Sequence, residues 1–236
     1  MAGALGTGNH KLVVVHSRKF FLICLMFFIL ALCSIEVFSD TPGPQLISRF
    51  GEMGLADWKE KSFKGKTSYK ILELDGEQVL QADSQRSASG IYKNITIKLQ
   101  EYPYLNWRWR IENKIDSGDE RSKGGDDYAA RIYVVIDGGL LFWKSMALSY
   151  VWANQAVKGS VWNNAYAGDS VKMLALRSSD DVTGTWYTEK RNVYEDLKKV
   201  FGKEISSIDS VAIMTDTDDS RTRTRSYYAE IFFSAN

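Results

Sequence analysis

The sequence predicts an all-β fold, a two-sheet β-sandwich of jelly-roll type carrying one short helix, and three observations support that prediction. Apolar residues recur mostly at every second position, the spacing that sends alternate side chains to opposite faces of a pleated strand. Asp-Gly, Ser-Gly, Gly-Gly and Asn-Asn steps divide the chain into about ten such runs. Helical stretches do not alternate with these runs, which leaves no room for strand-helix-strand crossovers.

The first forty residues carry a different signal. His10, Lys11, Arg18 and Lys19 precede an unbroken apolar run from Phe20 to Cys33, the layout of a signal peptide. The run is short for a bilayer core of about 30 Å, which takes about 20 apolar residues to cross as a helix. Val37 and Ser39 are small enough for the pockets that read the positions before a cut. We therefore expect a signal peptide over 1–39, a single sandwich domain over 40–236, and a periplasmic or secreted protein with no membrane span after cleavage. An uncleaved anchor is the alternative. Lipidation at Cys33 is disfavoured because Leu32 is bulky where a small residue is needed.

Both cysteines, Cys24 and Cys33, and both histidines, His10 and His16, fall inside that leader. A domain starting at Asp40 would then have no disulfide, thiol nucleophile, histidine triad or histidine-ligated zinc. Any catalysis would have to use carboxylates, Lys, Tyr, Arg or an oxygen-ligated ion.

Thr41-Pro-Gly-Pro44 reads as a stiff, turn-prone lead into a domain that begins near Leu46. Period-two runs then predict strands over Tyr69 to Leu74, Gln78 to Ala82, Ile91 to Leu99, Trp107 to Ile111 and Ala130 to Ile136. Further runs follow over Ala147 to Trp152, Val171 to Leu176, Thr185 to Val193, Val211 to Met214 and Tyr227 to Phe233. Asp75-Gly76 is the clearest hairpin signal. One helix is predicted over Val193 to Phe201, where Tyr194, Leu197, Val200 and Phe201 recur three and four apart and Gly202 can cap the end.

Hydrophobic residues at 44% supply a core, while 30 Lys and Arg against 29 Asp and Glu give no field to recruit nucleic acid. Nucleic-acid partners are therefore not expected.

Six phrases in order carry a resemblance: Gln81-Ala-Asp-Ser with Ser87-Ala-Ser-Gly90, Trp107-Arg-Trp-Arg110, Lys123-Gly-Gly-Asp-Asp127 leading into Arg131-Ile-Tyr-Val134, Tyr150-Val-Trp152, Glu189-Lys-Arg-Asn-Val193, and Ile213-Met-Thr-Asp-Thr-Asp218. From about Phe50 to Phe232 the chain resembles the DUF3047 family. The resemblance implies an exported bacterial β-sandwich like the carbohydrate-binding jelly rolls, and it supplies no catalytic residues.

On a strand, Trp107, Trp109 and Ile111 share one face and Arg108, Arg110 and Glu112 the other. The plain reading buries the indoles and solvates the arginines. The functional reading sets Arg108 and Arg110 on a concave face, joined by Arg131 with Tyr133 from a neighbouring strand, as a fork-shaped surface for anionic groups. Glu189 and Arg191 share a face of their strand, with Glu189 placed to pair with an arginine such as Arg108, as a structural pair or as part of the site.

Asp126 and Asp127 after Gly124-Gly125, with Asp216 and Asp218 at another strand end, form an oxygen-only set suited to Ca²⁺, or simply two solvated turns. An EF-hand is excluded, since Arg221 occupies the position that needs glycine. Glu73-Leu-Asp-Gly-Glu77 superficially matches the carboxylate rows of sandwich glycosidases, but Asp75-Gly76 is a turn and breaks the spacing.

Seven tryptophans and twelve tyrosines are many for this length. Trp143, Trp152, Trp162 and Tyr166 near strand ends, with Asn163 and Asn164 beside them, could stack on and hydrogen-bond to sugars, although core packing explains most such residues. The reading is an exported, non-catalytic binding module for a saccharide or polar anionic ligand, with no cofactor beyond a possible Ca²⁺. A carboxylate-based polysaccharide hydrolase or lyase and a structural envelope protein are the alternatives.

Overall fold

The structure is a computed structural model and describes residues 43–139 and 144–236. Its strands are β1 (Gln45–Ser48), β2 (Lys59–Lys64), β3 (Ser68–Leu74), β4 (Glu77–Gln85), β5 (Ala88–Lys98), β6 (Tyr104–Ile111) and β7 (Arg131–Ile136). There follow β8 (Met146–Trp152), β9 (Val161–Asn164), β10 (Gly168–Arg177), β11 (Tyr187–Asn192), β12 (Ser207–Asp216), β13 (Arg223–Tyr228) and β14 (Ile231–Ser234). Two α-helices occur among the described residues, the single turn α1 (Phe50–Met53) and α2 (Val193–Phe201), with a 3-10 turn at Lys123–Gly125.

The strands make two seven-stranded sheets. In sheet I, β6 pairs with β11 along one side and with β14 and then β13 along the other; β4 and β3 continue beyond β13, and β1 beyond β14. Sheet II runs β2-β5-β12-β7-β8-β10-β9. Every pairing is antiparallel except β8 with β10, whose connection passes through β9.

The core lies between the sheets and follows from the alternation. Leu105, Trp107, Trp109 and Ile111 of β6 point inward and are at most 1% exposed. They meet Tyr150 and Trp152 of β8, with ring centroids 5.4 Å apart for Trp107 and Tyr150 and 6.0 Å for Trp109 and Trp152. Ile132 and Val134 of β7 and Val211 and Ile213 of β12 complete this layer. Each large side chain buried this way contributes about 1.5–3 kcal/mol.

Asp75 (φ 55°) and Gly76 (φ 81°) both take positive φ and close the β3-β4 hairpin, as a two-residue turn between right-twisted strands requires. Helix α2 has the predicted bounds. The Asn192 side chain accepts a hydrogen bond from the Glu195 backbone N–H at 3.0 Å, and Gly202 ends the helix in the left-handed region. The predicted strand Tyr227 to Phe233 is divided into β13 and β14, and both lie along β6.

No helix among the described residues is long and apolar enough to cross a membrane. The expected leader, with its cysteines and histidines, lies outside the described residues, as does Trp143.

Candidate functional site

The same alternation that fills the core dresses the outer face of sheet II. Arg131, Tyr133 and Val135 point away from the core between Ile132 and Val134, and Ser210, Ala212 and Met214 do so on β12. Gly90 and Ala212 leave a low floor between Tyr92 and Tyr133. A Cβ at Gly90 would lie 2.9 Å from the Ile213 carbonyl oxygen, so this part of the floor cannot be raised without moving backbone.

Over that floor lie two adjoining cavities, of about 530 and 340 Å³. They share Phe63, Tyr133, Asn164, Tyr166 and Met214 and so form one groove. Phe63 is the extra residue of a bulge in β2, between Ser62 opposite Ser89 and Lys64 opposite Ala88. A bulge re-aims the side chain it carries, and Phe63 is 67% exposed. Tyr166, in the β9-β10 turn, is 58% exposed, and its hydroxyl donates to the Asp219 carboxylate at 2.8 Å.

The smaller compartment is acidic. Arg131 at its floor donates to Asp216 and lies over the rings of Tyr128 and Tyr133, 4.9 and 5.6 Å from their centroids. Burial would lower the Arg131 pKa, but Asp216, Tyr133, Asp126 and Tyr128 together outweigh it and the guanidinium stays charged. Burial also pushes the Tyr133 phenol up to about 12. Asp126 receives the Asn164 amide at 3.1 and 2.9 Å, yet burial holds its carboxyl above the usual range. The Asp219 carboxyl is also raised by burial, against the pull of the Tyr166 hydroxyl.

Of the four aspartates expected to hold a metal, Asp127, Asp216 and Asp218 come together, with carboxylate oxygens within 4.8 Å of one another. Asp126 instead faces Asn164. Each member of the trio already has protein donors. Asp127 accepts the Ser220 backbone N–H at 2.5 Å, Asp216 accepts the Tyr128 N–H at 3.1 Å, and Lys64 lies 3.4 Å from Asp218.

Among the other expected ligand-binding residues, Arg131 and Tyr133 line the groove. Arg108 and Arg110 do not. They project from β6 on the outer face of sheet I, because the inward face of that strand is taken by Trp107 and Trp109. There Arg108 pairs with Glu77 and lies over Trp186, while Arg110 bonds Glu112 at 2.8 Å and Asp75 at 3.2 Å. The arginine row is thus split between opposite faces of the sandwich.

Glu189 does not pair with Arg108 either. It points inward, accepting from Trp109 Nε1 at 3.0 Å and from Arg177 Nε at 2.6 Å. Arg191, on the same face, clasps Asp196 at 2.6 and 2.9 Å. Trp152 is a core residue, 2% exposed, whose indole N–H donates to the Ser178 carbonyl. Trp162 is also buried. Asn163 points away from the groove and receives Lys172, while its neighbour Asn164 supplies the groove's amide. Phe63 and Tyr92 also line the groove, although neither is among the residues expected from the sequence. A signal for Phe63 was present, as a lone aromatic in the charged run Lys59-Glu-Lys-Ser-Phe-Lys64 has no apolar partner with which to build a core face.

Comparison with known proteins gives one family and several similar folds. The family described as "Protein of unknown function (DUF3047)" matches residues 56–232. No curated protein matches the sequence. Among solved structures, the chain is similar to a family 11 carbohydrate-binding module of a Clostridium thermocellum cellulosomal cellulase, at 11% identity and TM-score 0.44 over 82% of this chain and 95% of that one. A family 30 carbohydrate-binding module from the same organism aligns at 11% identity and TM-score 0.45, over 82% and 94%. A cellulase derived from Cel12A of Rhodothermus marinus aligns at 11% identity and TM-score 0.44, over 75% and 96%.

Proposed function

The chain belongs to the DUF3047 family, and on that footing we propose that it is an exported, non-catalytic binding module that holds an uncharged saccharide in the groove on the outer face of sheet II. The observation that carries this reading is the pair of exposed rings, Phe63 and Tyr166, set over a groove walled by Tyr92 and Tyr133. Large apolar rings left in water are unfavourable unless a partner covers them. Sugar rings present C–H faces to such rings and hydroxyls to the Asn164 amide.

The charge of the groove argues against the anionic ligand expected from the sequence. Asp126, Asp216, Asp218 and Asp219 line it against Lys61, Lys64 and Arg131, one negative charge in excess, and Arg108 and Arg110 are on the other sheet. A uronate or sulfate would enter against that excess.

Titration calorimetry with a panel of uncharged hexasaccharides tests the reading. At least one should bind, and Phe63→Ala and Tyr166→Ala should each weaken it about 5-fold, the size of about 1 kcal/mol of lost stacking. Both residues are exposed, so the unfolding midpoint should stay put. Failure of every uncharged glycan to bind, or full affinity in both variants, overturns it. Export is checked by intact mass, where protein recovered outside the cytoplasm should begin at Asp40.

One observation favours the hydrolase alternative. Asp126 and Asp219 both have carboxyl groups raised by burial, and a raised carboxyl can act as a general acid. Release of reducing ends from the bound glycan, abolished in Asp126→Asn or Asp219→Asn, would select it over the binding module.

A further inference from the structure

A separate cavity of about 400 Å³ opens at the edge of the sandwich, between β10 on one side and β11 with α2 on the other. Its apolar part is Leu174 and Leu176 of β10 with Val200 of α2, all packed into or against the interlayer core. The cavity therefore reaches the point where the two sheets part and the core comes to the surface. Its rim is charged, with Lys158, Arg191 and Lys199 facing Glu189 and Asp196.

The acids at this rim are already satisfied from inside the protein. Asp196 accepts from Arg191 Nε and Nη2 at 2.9 and 2.6 Å and from the Tyr150 hydroxyl at 2.9 Å. Glu189 accepts from Arg177 and from Trp109. Asp181, next to the rim, takes Lys158 at 2.7 Å, Arg177 at 3.4 Å and the Ser178 backbone N–H at 2.8 Å. Lys158, Arg177, Arg191 and Lys199 set against Asp181, Glu189 and Asp196 leave one positive charge over. Lys199 is exposed and makes no ion pair among the described residues.

We infer that this cavity is a second binding site, for a small carboxylate with an apolar tail. The tail lies against Leu174, Leu176 and Val200, where it leaves water for a surface the core already presents. The carboxylate stays at the rim with Lys199, the donor that makes no ion pair among the described residues, and with Lys158, which also lines the cavity. An amine of the same length meets the excess positive charge, and an alcohol leaves Lys199 unpaired. This site lies on a different part of the sandwich from the groove and stands or falls independently of saccharide binding.

The test is backbone amide NMR during titration with sodium octanoate, with octanol, octylamine and acetate as comparisons. Octanoate should give saturable shifts confined to β10, β11 and α2, and the other three compounds should bind more weakly. Lys199→Ala is an exposed helix substitution that keeps helix propensity, so it should fold normally and lower octanoate affinity about threefold, the scale of one exposed ion pair. The inference is overturned if octanoate gives no saturable shifts, if octanol or octylamine binds as tightly, or if affinity is unchanged in both Lys199→Ala and Lys158→Ala.

Discussion

Arg131 and Asp216 form an ion pair beneath the groove in which each side chain is 3% exposed. The pair joins β7 to β12, where Arg131 sits in register with Met214. In so dry a place the pair as a whole adds little stability, but either partner left alone is a buried, uncompensated charge. Arg131→Met should therefore cost about 3–5 kcal/mol in urea unfolding at pH 7. Adding Asp216→Asn, which can still accept the Tyr128 N–H, should recover most of that loss. A double variant no more stable than the single one would show that the charge was not what made the substitution costly.

The fold was legible because period-two patterning survives wherever one face of a strand is buried. β6, with Leu105, Trp107, Trp109 and Ile111 inward, is the clearest case. β2 was not legible, since all six of its residues are exposed and no face of it alternates. β1 and β9 are four residues each, too short for a period to register. The site was half legible for a related reason. Alternation tells that Arg108 and Arg131 both leave the core, but not that their strands belong to different sheets, which only the pairing decides. Glu189 does form the expected buried pair with an arginine, but its partner is Arg177 of β10, across the interlayer space, and not Arg108.

Asp83 gives a pH dependence whose sign can be worked out. Burial would raise its carboxyl, but Arg223 and Arg225, at 2.9 and 2.5 Å, outweigh burial and hold it below the usual range. A carboxyl depressed in the folded state adds stability above its unfolded value, about 3.9, and that stability is lost as pH falls through the lower folded value. Both arginines are partly solvated, so the contribution is screened and amounts to about 0.5–1 kcal/mol. Asp83→Asn should be destabilised by that amount at pH 7 and match the wild type near pH 2. A gap that persists at pH 2 would assign the effect to packing.

Calcium has to compete with cations the protein already supplies. The ion takes about six to eight oxygen ligands, and in the trio Asp216 is held by Arg131 and Asp218 by Lys64. Thermal unfolding of the wild type should then differ by no more than about 1 °C between millimolar CaCl₂ and EDTA, the scale of a few tenths of a kcal/mol. Lys64→Ala frees Asp218, and the same comparison should now show a larger rise with Ca²⁺. A fall in the wild-type midpoint on EDTA would mean that the cation outcompetes Lys64.

Gly124 and Gly125 precede Asp126 and Asp127, and the two glycines should respond very differently to one methyl group. A Cβ at Gly125 would overlap the carbonyl group of Asp119 and lie 2.9 Å from the Ser117 carbonyl oxygen. These are backbone atoms, which no rotamer change can move aside. At Gly124 nothing lies within 4 Å of the added atom. Gly125→Ala must therefore displace the loop that delivers Asp126 to Asn164 and Asp127 to the Ser220 N–H. It should cost about 2 kcal/mol or more, whereas Gly124→Ala stays within about 0.5 kcal/mol. Glycan affinity should follow stability, falling for Gly125→Ala alone. Equal tolerance of alanine at both positions in urea unfolding would mean that the chain does not pass that close to Asp119.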